Sequence, residues 1–388
     1  MSKRSLKVYL VAGEPSGDLL ASRLMRALKK NGAVSCYGVG GESMKKEGVR
    51  SLFPISEISV MGFLEVVPRI PNILKRIRQT LDDIEKKKPD IVITVDSWSF
   101  SKRIHLGIKK RGLKIPHIHY VAPQVWAWKE KRAAQIKKWV DFLMVLLPFE
   151  KKYFEPYQMP CSFVGHPVIE GGADKGDANR FLRKHGFSMR DFILTVLPGS
   201  RHTEVSYLLP VFRQVVEELS KENKNLKVVI PTVDTVKKKV LSAIKDWPVQ
   251  TIVVSGETER YDAFAASALG LAASGTVSLE LAMSGTPHLI AYKVNKMSAA
   301  LARHLLKIKY VNLINILKNK QVIPELLQDD CNFKRIVVEL KKLMGKNGAE
   351  QKRQAKEALK LLQPETKGLP SQNAAKEVRR IVREYGRF

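Results

Sequence analysis

Short apolar runs alternate with amphipathic helical patterns along the first half of the chain. Parallel sheets produce this alternation, because each strand is buried on both faces and a crossover helix follows it. The predicted strands are residues 8–12, 34–39, 91–95, 115–121, 142–147 and 161–164, and the predicted helices are 18–30, 70–87, 100–111 and 130–139. The pattern therefore predicts an α/β domain with helices on both faces of its sheet.

A stretch rich in glycine and charge interrupts this rhythm at residues 167–177, where we place a linker. A second alternation follows, with strands at 192–197, 227–231, 250–254, 269–272 and 288–292, and helices at 204–220, 235–245, 260–266, 277–283 and 297–307. Three more helices are predicted at about 333–346, 350–362 and 371–385.

We therefore predict two Rossmann-like, doubly wound domains, at residues 1–167 and 178–350, and C-terminal helices at 351–388. Packing of these last helices against the first domain is left open. Because ligands of such sheets bind beyond the carboxyl ends of the strands, we expect the active site in a cleft between the domains.

Charge is the outlying property of the composition. The 388 residues include 67 Lys and Arg against 38 Asp and Glu, a net charge of +29. This excess favours an anionic partner, for which nucleic acid, anionic lipid headgroups and acidic substrates are the candidates. Eleven basic residues and one acid lie between Ser101 and Lys138. Alternatively, the basic residues of any one cluster could simply lie on the solvated face of a helix and bind no partner.

The sequence gives no sign of a metal site, a disulfide framework or a membrane span. Cys36, Cys161 and Cys331 are far apart and form no C-x-x-C motif, and no two histidines have zinc-ligand spacing. No window approaches about 20 uninterrupted apolar residues. The basic N-terminus leads directly into the first strand, so we interpret it as part of the fold and not as a signal peptide. We expect neither a metal nor a cofactor.

One glycine loop of the second domain suggests an anion site. In "FILTVLPGSRHTEVSYLLP" a strand ends at a turn and a helix follows. Gly199 allows a ligand to approach the backbone, Ser200 and the first helical amides are donors, and the Arg201 guanidinium suits a pyrophosphate. A helix cap beside an exposed arginine is the alternative interpretation.

A second loop, in "LGLAASGTVSLELAMSGTPHLIAY", completes this site. Ser274, Gly275 and Thr276 could present amides to a phosphate, and a short helix follows with Ser278 and Glu280. The carboxylate of Glu280 could accept both hydroxyls of a ribose, as acids do in dinucleotide-binding folds. Alone, it could be a solvated helix glutamate. Together the two loops predict a site for a nucleoside diphosphate.

The first domain carries a candidate general base. In "KKPDIVITVDSWSF" a buried strand ends at Asp96, and partial burial would poise that carboxylate for proton transfer. An N-cap for the following helix is the alternative. The loop "YVAPQVWAWKEKR" contains Trp126, which could line a sugar or lipid pocket or simply pack.

One stretch has more apolar residues than a single helix face needs. It reads "VMGFLEVVPRIPNILKRIRQTL" and begins with Val60, Met61, Phe63, Leu64, Val66 and Val67, with Arg69 the first of several basic residues. Apolar side chains beside arginines suit the interface of an anionic membrane or a pocket for acyl chains. Two core helices broken at Pro68 and Pro71 are the alternative.

Eight blocks, taken in order, resemble the lipid-A-disaccharide synthase family. They are "AGEPSGD", "GVGGESM", "VMGFLEV", "PQVWAWK", "FVGHPV", "LPGSR", "SGTVSLELA" and "VNLI" with "VIPELLQ" after it, and they span about residues 7–328. The resemblance implies the GT-B fold and an inverting glycosyltransferase. That enzyme transfers 2,3-diacylglucosamine from its UDP conjugate to 2,3-diacylglucosamine 1-phosphate, giving a β-1,6 disaccharide and UDP.

The resemblance also implies residue roles and a location. Arg201 and Glu280 would contact UDP, Asn312 would lie near it, and Asp96 would be the base that deprotonates the acceptor 6-hydroxyl. The family works as a peripheral enzyme on the cytoplasmic face of the inner membrane of Gram-negative bacteria. A homodimer is left open, and no nucleic acid partner is implied.

The first turn, "AGEPSGD", then gains a role at the acceptor. Glu14 could accept sugar hydroxyls, while Gly13, Ser16 and Gly17 allow a close backbone approach. Asp18 falls in the first helical turn, where its charge suits the helix dipole. A bare tight turn is the alternative.

The chain departs from the family pattern at one place. The family usually reads D-[SA]-P-D-F-N where this chain reads "DSWSFS", so Trp98, Ser99 and Ser101 replace a proline, a second acid and an asparagine. Two other functions compete with this reading. A UDP-N-acetylglucosamine 2-epimerase would share the nucleotide loops, and a nucleic-acid-binding protein would use the charge of +29.

Overall fold

The computed structural model describes residues 4–59, 67–127, 130–273, 275–295 and 308–386. Within these ranges the chain folds into two compact units. One contains the residues up to Pro167 and those from Leu362 onward, and the other contains the residues Val168–Leu361. The chain therefore returns to its first unit at the C-terminal end.

Each unit is built on one six-stranded sheet, and every strand pair in both sheets is parallel. The first sheet has the order β2-β1-β3-β4-β5-β6 and the second β12-β11-β10-β7-β8-β9. The strands are β1 Leu6–Ala12, β2 Val34–Val39, β3 Ile91–Val95, β4 His117–Tyr120, β5 Phe142–Val145, β6 Cys161–Phe163, β7 Phe192–Leu197, β8 Leu226–Pro231, β9 Thr251–Val254, β10 Leu269–Ala272, β11 His288–Tyr292 and β12 Glu325–Leu327.

Helices connect the strands. In the described residues they are α1 Pro15–Lys30, α2 Glu42–Lys46, α3 Ile70–Lys87, α4 Trp98–Lys110, α5 Ala133–Ile136, α6 Ala178–His185, α7 His202–Glu222, α8 Asp234–Ala243, α9 Glu257–Ala266, α10 Val277–Met283, α11 Leu313–Lys318, α12 Phe333–Leu343, α13 Lys346–Lys360 and α14 Pro370–Glu384. None of these helices is both long and apolar enough to cross a bilayer.

Alternate residues of the central strands face opposite layers of helices. On β1, Val8 and Leu10 pack in a core with α1 and α14, whereas Tyr9 and Val11 pack in a core with α3 and α4. All five positions of β3 are buried, as expected of a strand covered on both faces. The guanidinium of Arg379 on α14 donates to the carbonyl of Leu28 at 3.0 Å, which fixes α14 against the end of α1.

The second sheet is covered in the same way. One core joins the strands to α7 and α12 through residues such as Phe212 and Leu340, and cores on the other side contain Phe181 of α6 and Phe264 of α9. These two sheets confirm the predicted fold class, an α/β protein with two doubly wound domains.

Several predicted elements differ from the observed ones. The predicted helix at 130–139 is reduced to a 3₁₀ turn followed by the four residues of α5, and the predicted strand at 115–121 contains only β4. The short elements α2, α6, α11 and β12 were not predicted. The predicted helix at 297–307 lies outside the described residues.

Candidate active site

The turns after β1 and β3 meet at the carboxyl edge of the first sheet. The hydroxyl of Ser16 donates to Oδ2 of Asp96 at 3.0 Å. A Cβ on Gly13 would lie 2.6 Å from Cβ of Ser97, and a Cβ on Gly17 would lie 2.9 Å from the carbonyl oxygen of Val95. Both glycines therefore permit the close approach of the two turns, a reason that the sequence alone did not supply.

Asp96 lies at the end of β3 in a left-handed conformation, with φ of 57°, and is partly exposed. Its Oδ1 accepts the amide of the next residue, Ser97, at 2.8 Å. The N-cap of α4 is Ser97, and no side chain caps this helix. The alternative interpretation of Asp96 as the N-cap is therefore wrong. The carboxylate is held at a strand end, in a position from which it could take a proton.

Asp18 is buried and its carboxylate binds the protein's own backbone. It accepts the amides of Gly41 at 2.7 Å, Ser43 at 2.8 Å and Met44 at 3.1 Å, and so closes the start of α2. The predicted contact between Asp18 and an acceptor stays a prediction. In this geometry Asp18 would affect an acceptor by holding the backbone of residues 41–44 in place. Glu14 precedes α1 as its N-cap residue in extended conformation, and its side chain is partly exposed.

Trp126 is fixed by a buried acid. Its indole Nε1 donates to Oε1 of Glu150 at 3.2 Å, and its ring meets that of Phe149 edge to face at 5.3 Å. The other oxygen of Glu150 accepts the amides of Leu146 and Leu147 at 3.0 and 2.9 Å. Burial raises the pKa of Glu150 to about 7. Glu150 was not identified from the sequence.

In the second unit, the loops after β7, β8, β9 and β10 enclose a cavity of about 560 Å³. Most of the predicted donor residues line it together, namely Gly199, Ser200, Arg201, Gly275, Thr276 and Glu280. These loops follow the carboxyl ends of parallel strands, which is where ligands of such sheets bind. Ser274 lies outside the described residues.

Glu204 binds the backbone of the loop after β7, a contact that we did not predict from the sequence. Oε2 of Glu204 accepts the amides of Ser200 at 3.0 Å and Arg201 at 3.3 Å, while its Oε1 accepts the Arg201 guanidinium at 2.8 Å. Gly199 has φ of 104°, and a Cβ there would lie 2.3 Å from Oε2 of Glu204. Glu204 thus accepts hydrogen bonds from two backbone amides that we expected to donate to a diphosphate.

Glu280 has a cationic partner in the same cavity. Nη2 of Arg260 donates to Oε1 of Glu280 at 3.0 Å, and the hydroxyl of Tyr261 reaches the same oxygen at 3.4 Å. Glu280 is therefore not a freely solvated helix glutamate. Arg260 lines the cavity as a second guanidinium beside Arg201 and was missed, because a helix that reads "ETERYDAF" does not reveal which face meets a ligand.

Ser278 and Asn312 are buried and do not line this cavity. Nδ2 of Asn312 donates to the hydroxyl of Ser278 at 2.7 Å, and that hydroxyl lies 2.7 Å from Nε2 of His288. Oδ1 of Asn312 accepts the amide of Ile314 and so caps α11. This geometry gives both residues a structural role around α10, and a part for them in UDP binding stays a prediction.

The predicted membrane or acyl segment is only partly described. Val60, Met61, Phe63, Leu64 and Val66 lie outside the described residues, as does the side chain of Val67. Arg69 is exposed at the start of α3. The next turns of that helix expose Ile70 and Leu74, at 43% and 54%.

Among the described residues, no group of three or more His, Cys, Asp or Glu side chains could hold a metal ion. The three cysteines are free thiols. The candidate groups are a carboxylate in the first unit and two guanidinium groups beside acids in the second.

Comparison with solved structures supports the fold. The complex of S. aureus MnaA with UDP has a TM-score of 0.67 at 14% identity and covers 99% of this chain and 98% of its own. UDP-GlcNAc 2-epimerase from Neisseria meningitidis, bound to UDP-GlcNAc, has a TM-score of 0.64 at 14% identity, with 98% and 100% covered. The two-domain architecture with a GT-B arrangement of strands is thereby confirmed as the fold class.

Comparison of sequences is more specific. A family model described as lipid-A-disaccharide synthetase matches residues 8–381. A lipid-A-disaccharide synthase of Paramagnetospirillum magneticum is 50% identical, with 87% of both chains covered. One from Granulibacter bethesdensis is 39% identical, with 97% of this chain and 98% of its own covered. The chain belongs to the lipid-A-disaccharide synthetase family.

Proposed function

We propose that this chain is a glycosyltransferase that forms the lipid A disaccharide. It transfers 2,3-diacylglucosamine from UDP-2,3-diacylglucosamine to the 6-hydroxyl of 2,3-diacylglucosamine 1-phosphate, and UDP leaves. The observation that carries this function is the match to the family over residues 8–381, nearly the whole chain. The candidate groups of the two units fit the reaction's two needs, a base and a site for a nucleoside diphosphate.

Asp96 acts as the general base. Its carboxylate takes the proton of the acceptor 6-hydroxyl while that oxygen forms a bond to the anomeric carbon. The bond between the anomeric carbon and the diphosphate oxygen breaks on the opposite face, so the configuration inverts. A positioned base typically accelerates such a step by about 10²–10⁴-fold. The hydrogen bond from Ser16 supports this role because it orients one oxygen of the carboxylate.

The cavity of the second unit binds UDP. The diphosphate gains negative charge as it leaves, and the guanidinium groups of Arg201 and Arg260 are the cations that line the cavity. The guanidinium of Arg201 carries five N–H donors, so it could bind the diphosphate and keep its contact with Glu204. The two amides that bind Oε2 of Glu204 could donate to a phosphate oxygen only if that carboxylate moved away.

The chain works on the cytoplasmic surface of an anionic membrane, where both acylated substrates are held. Exposed Ile70 and Leu74 on α3 support this proposal, because the exposed basic residues Arg69, Lys75 and Arg78 lie beside them. A basic side chain near an anionic surface contributes about 1 kcal/mol to binding. The net charge of +29 is consistent with the same partner.

Product analysis tests the proposed function. The purified chain is incubated with UDP-2,3-diacylglucosamine and 2,3-diacylglucosamine 1-phosphate, and the products are identified by mass spectrometry and by the anomeric coupling in NMR. We expect a β-1,6 disaccharide 1-phosphate and one UDP per linkage. A parallel incubation with UDP-GlcNAc tests the second candidate, because the neighbouring folds include 2-epimerases. Formation of the C2 epimer without any disaccharide would replace our proposal with that one.

A further inference from the structure

The backbone around Asp96 is strained. Asp96 and Ser97 have φ of 57° and 43°, and Val121, at the end of the neighbouring strand β4, has φ of 77°. For residues other than glycine, the left-handed conformation costs about 1–2 kcal/mol each. Such conformations persist where the surrounding structure fixes them, and they concentrate at functional sites. Other groups must therefore hold this turn.

Polar contacts fix the backbone of Asp96 itself. Its amide donates to the carbonyl of Tyr120 at 2.9 Å, and its carbonyl accepts the hydroxyl of Ser101 at 2.8 Å. These contacts join the turn to β4 and to the first turn of α4. At the same place side-chain packing also holds α4 against β4.

Trp98, the first residue of α4, supplies that packing. Its ring centroid lies 4.7 Å from that of His119 on β4 and 5.9 Å from that of Trp139. Nζ of Lys102, one turn later on α4, lies 3.6 Å from the centroid of Trp139. The start of α4 thus packs against β4 through tilted ring contacts that begin two residues after Asp96.

His119 is itself held rigidly. It is fully buried, and its register partner on β3 is Thr94, two residues before Asp96. Oγ1 of Thr94 lies 2.7 Å from Nδ1 of His119 and 2.8 Å from Nε2 of His105 on α4. Nδ1 of His105 lies 3.1 Å from Nδ1 of His117. Burial lowers the pKa of His119 to about 3, so the ring is neutral at neutral pH.

We infer that Trp98 and His119 are positioning residues, which hold the strained turn so that the Asp96 carboxylate keeps the orientation its reaction needs. Trp98 stands where the usual family pattern has a proline. The inference depends on the proposed role of Asp96 as base. A displacement of a reacting group by about 1 Å can lower a rate about 10²-fold.

Kinetics of four variants test the inference. Trp98→Ala removes these ring contacts, Trp98→Phe retains an aromatic ring, and Tyr157→Ala removes an exposed aromatic ring elsewhere in the first unit. We expect Trp98→Ala to lower kcat for disaccharide formation at least about 10-fold, with the KM of both substrates within about twofold. Trp98→Phe should recover most of that loss, and Tyr157→Ala should keep the wild-type kcat. His119→Ala should reproduce the effect of Trp98→Ala.

Hydrogen exchange gives a second readout that needs no activity. The amides of Phe100 and Ser101 both donate to the carbonyl of Ser97, so they report on the turn. They should exchange faster in Trp98→Ala than in the wild type, and at the wild-type rate in Trp98→Phe. A Trp98→Ala protein with unchanged exchange, or with faster exchange and unchanged kcat, would overturn the inference. A wild type without synthase activity would refute the proposed function, and exchange would still decide whether Trp98 supports the turn.

Discussion

The hydroxyl of Ser16 donates a hydrogen bond to Oδ2 of Asp96 across 3.0 Å. Through this contact the first residues of α1 reach the carboxylate at the end of β3, eighty positions later in the chain. The "AGEPSGD" turn, for which we predicted a role at the acceptor, therefore lies beside the candidate base. Its hydroxyl orients an acid, and its glycines allow that acid's turn to pack closely.

Loss of the Ser16 hydroxyl should slow the reaction. A hydrogen bond to a charged group contributes about 1.5–3 kcal/mol, so we expect Ser16→Ala to lower kcat about 10-fold. Ser22→Ala is the matched control, because Ser22 lies on the same helix and its hydroxyl donates only to the carbonyl of Leu19 among the contacts described. Equal rates for the two variants would show that the contact does not serve catalysis.

Loss of the Arg260 guanidinium should weaken UDP binding. Arg260→Gln removes a cation from the cavity and breaks its ion pair with Glu280. We expect the Kd for UDP, measured by calorimetry, to rise at least about 10-fold, a change of about 1.4 kcal/mol. Arg213→Gln is the control, because Arg213 pairs with Glu217 on the surface of α7. An unchanged Kd in Arg260→Gln would remove Arg260 from the proposed donor site.

Glu150 should make stability depend on pH. Burial raises the pKa of its carboxyl from an ordinary 4.5 to about 7. A folded-state pKa above the unfolded one means that the neutral acid favours folding. That contribution is complete below about pH 4.5 and is lost as the pH rises through about 7.

The test compares the wild type with Glu150→Gln, whose side chain stays neutral. From pH 5 to pH 8 the free energy of unfolding of the wild type should fall relative to that of the variant, by on the order of 3 kcal/mol at most. Denaturant titrations at the two pH values measure it. A difference between the two proteins that stays constant with pH would exclude an elevated pKa for Glu150.

The exposed end of α3 should contribute to membrane binding. We expect the double variant Ile70→Ser with Leu74→Ser to float less with anionic vesicles than the wild type, and binding of both to weaken with salt. The exposed pair Leu241 and Val338 of the second unit, changed to serine, is the control. Vesicle binding by the wild type that does not change with salt or with lipid charge would contradict the proposed membrane surface.

The loops around the cavity could be predicted from the sequence, because the carboxyl ends of all strands in a parallel sheet lie at one edge. Polar residues that follow different strands therefore come together there. Gly199, Arg201 and Glu280 lie around one cavity for this reason, although more than seventy positions separate the loops. Local patterns of apolar residues were enough to find the central strands, which are buried on both faces.

The partners of the site residues could not be predicted in the same way. Glu204 closes on the loop before it, and Arg260 reaches Glu280 from a neighbouring helix. Asn312 turned out to cap α11 instead of lining the cavity. Each of these contacts depends on how side chains of separate elements point in the folded unit. Helices as short as α2 and α11 also lack the two turns that a periodic pattern needs.

The most direct test compares initial rates of disaccharide formation by the wild type, Asp96→Ala and Asp82→Ala at saturating substrate. Asp82 is an exposed acid of the same unit that pairs with Arg111, so its removal should leave the rate unchanged. We predict that Asp96→Ala loses at least about 10²-fold in kcat while the Kd for UDP stays the same. A loss of less than about 10-fold in Asp96→Ala would contradict the assignment of Asp96 as the base.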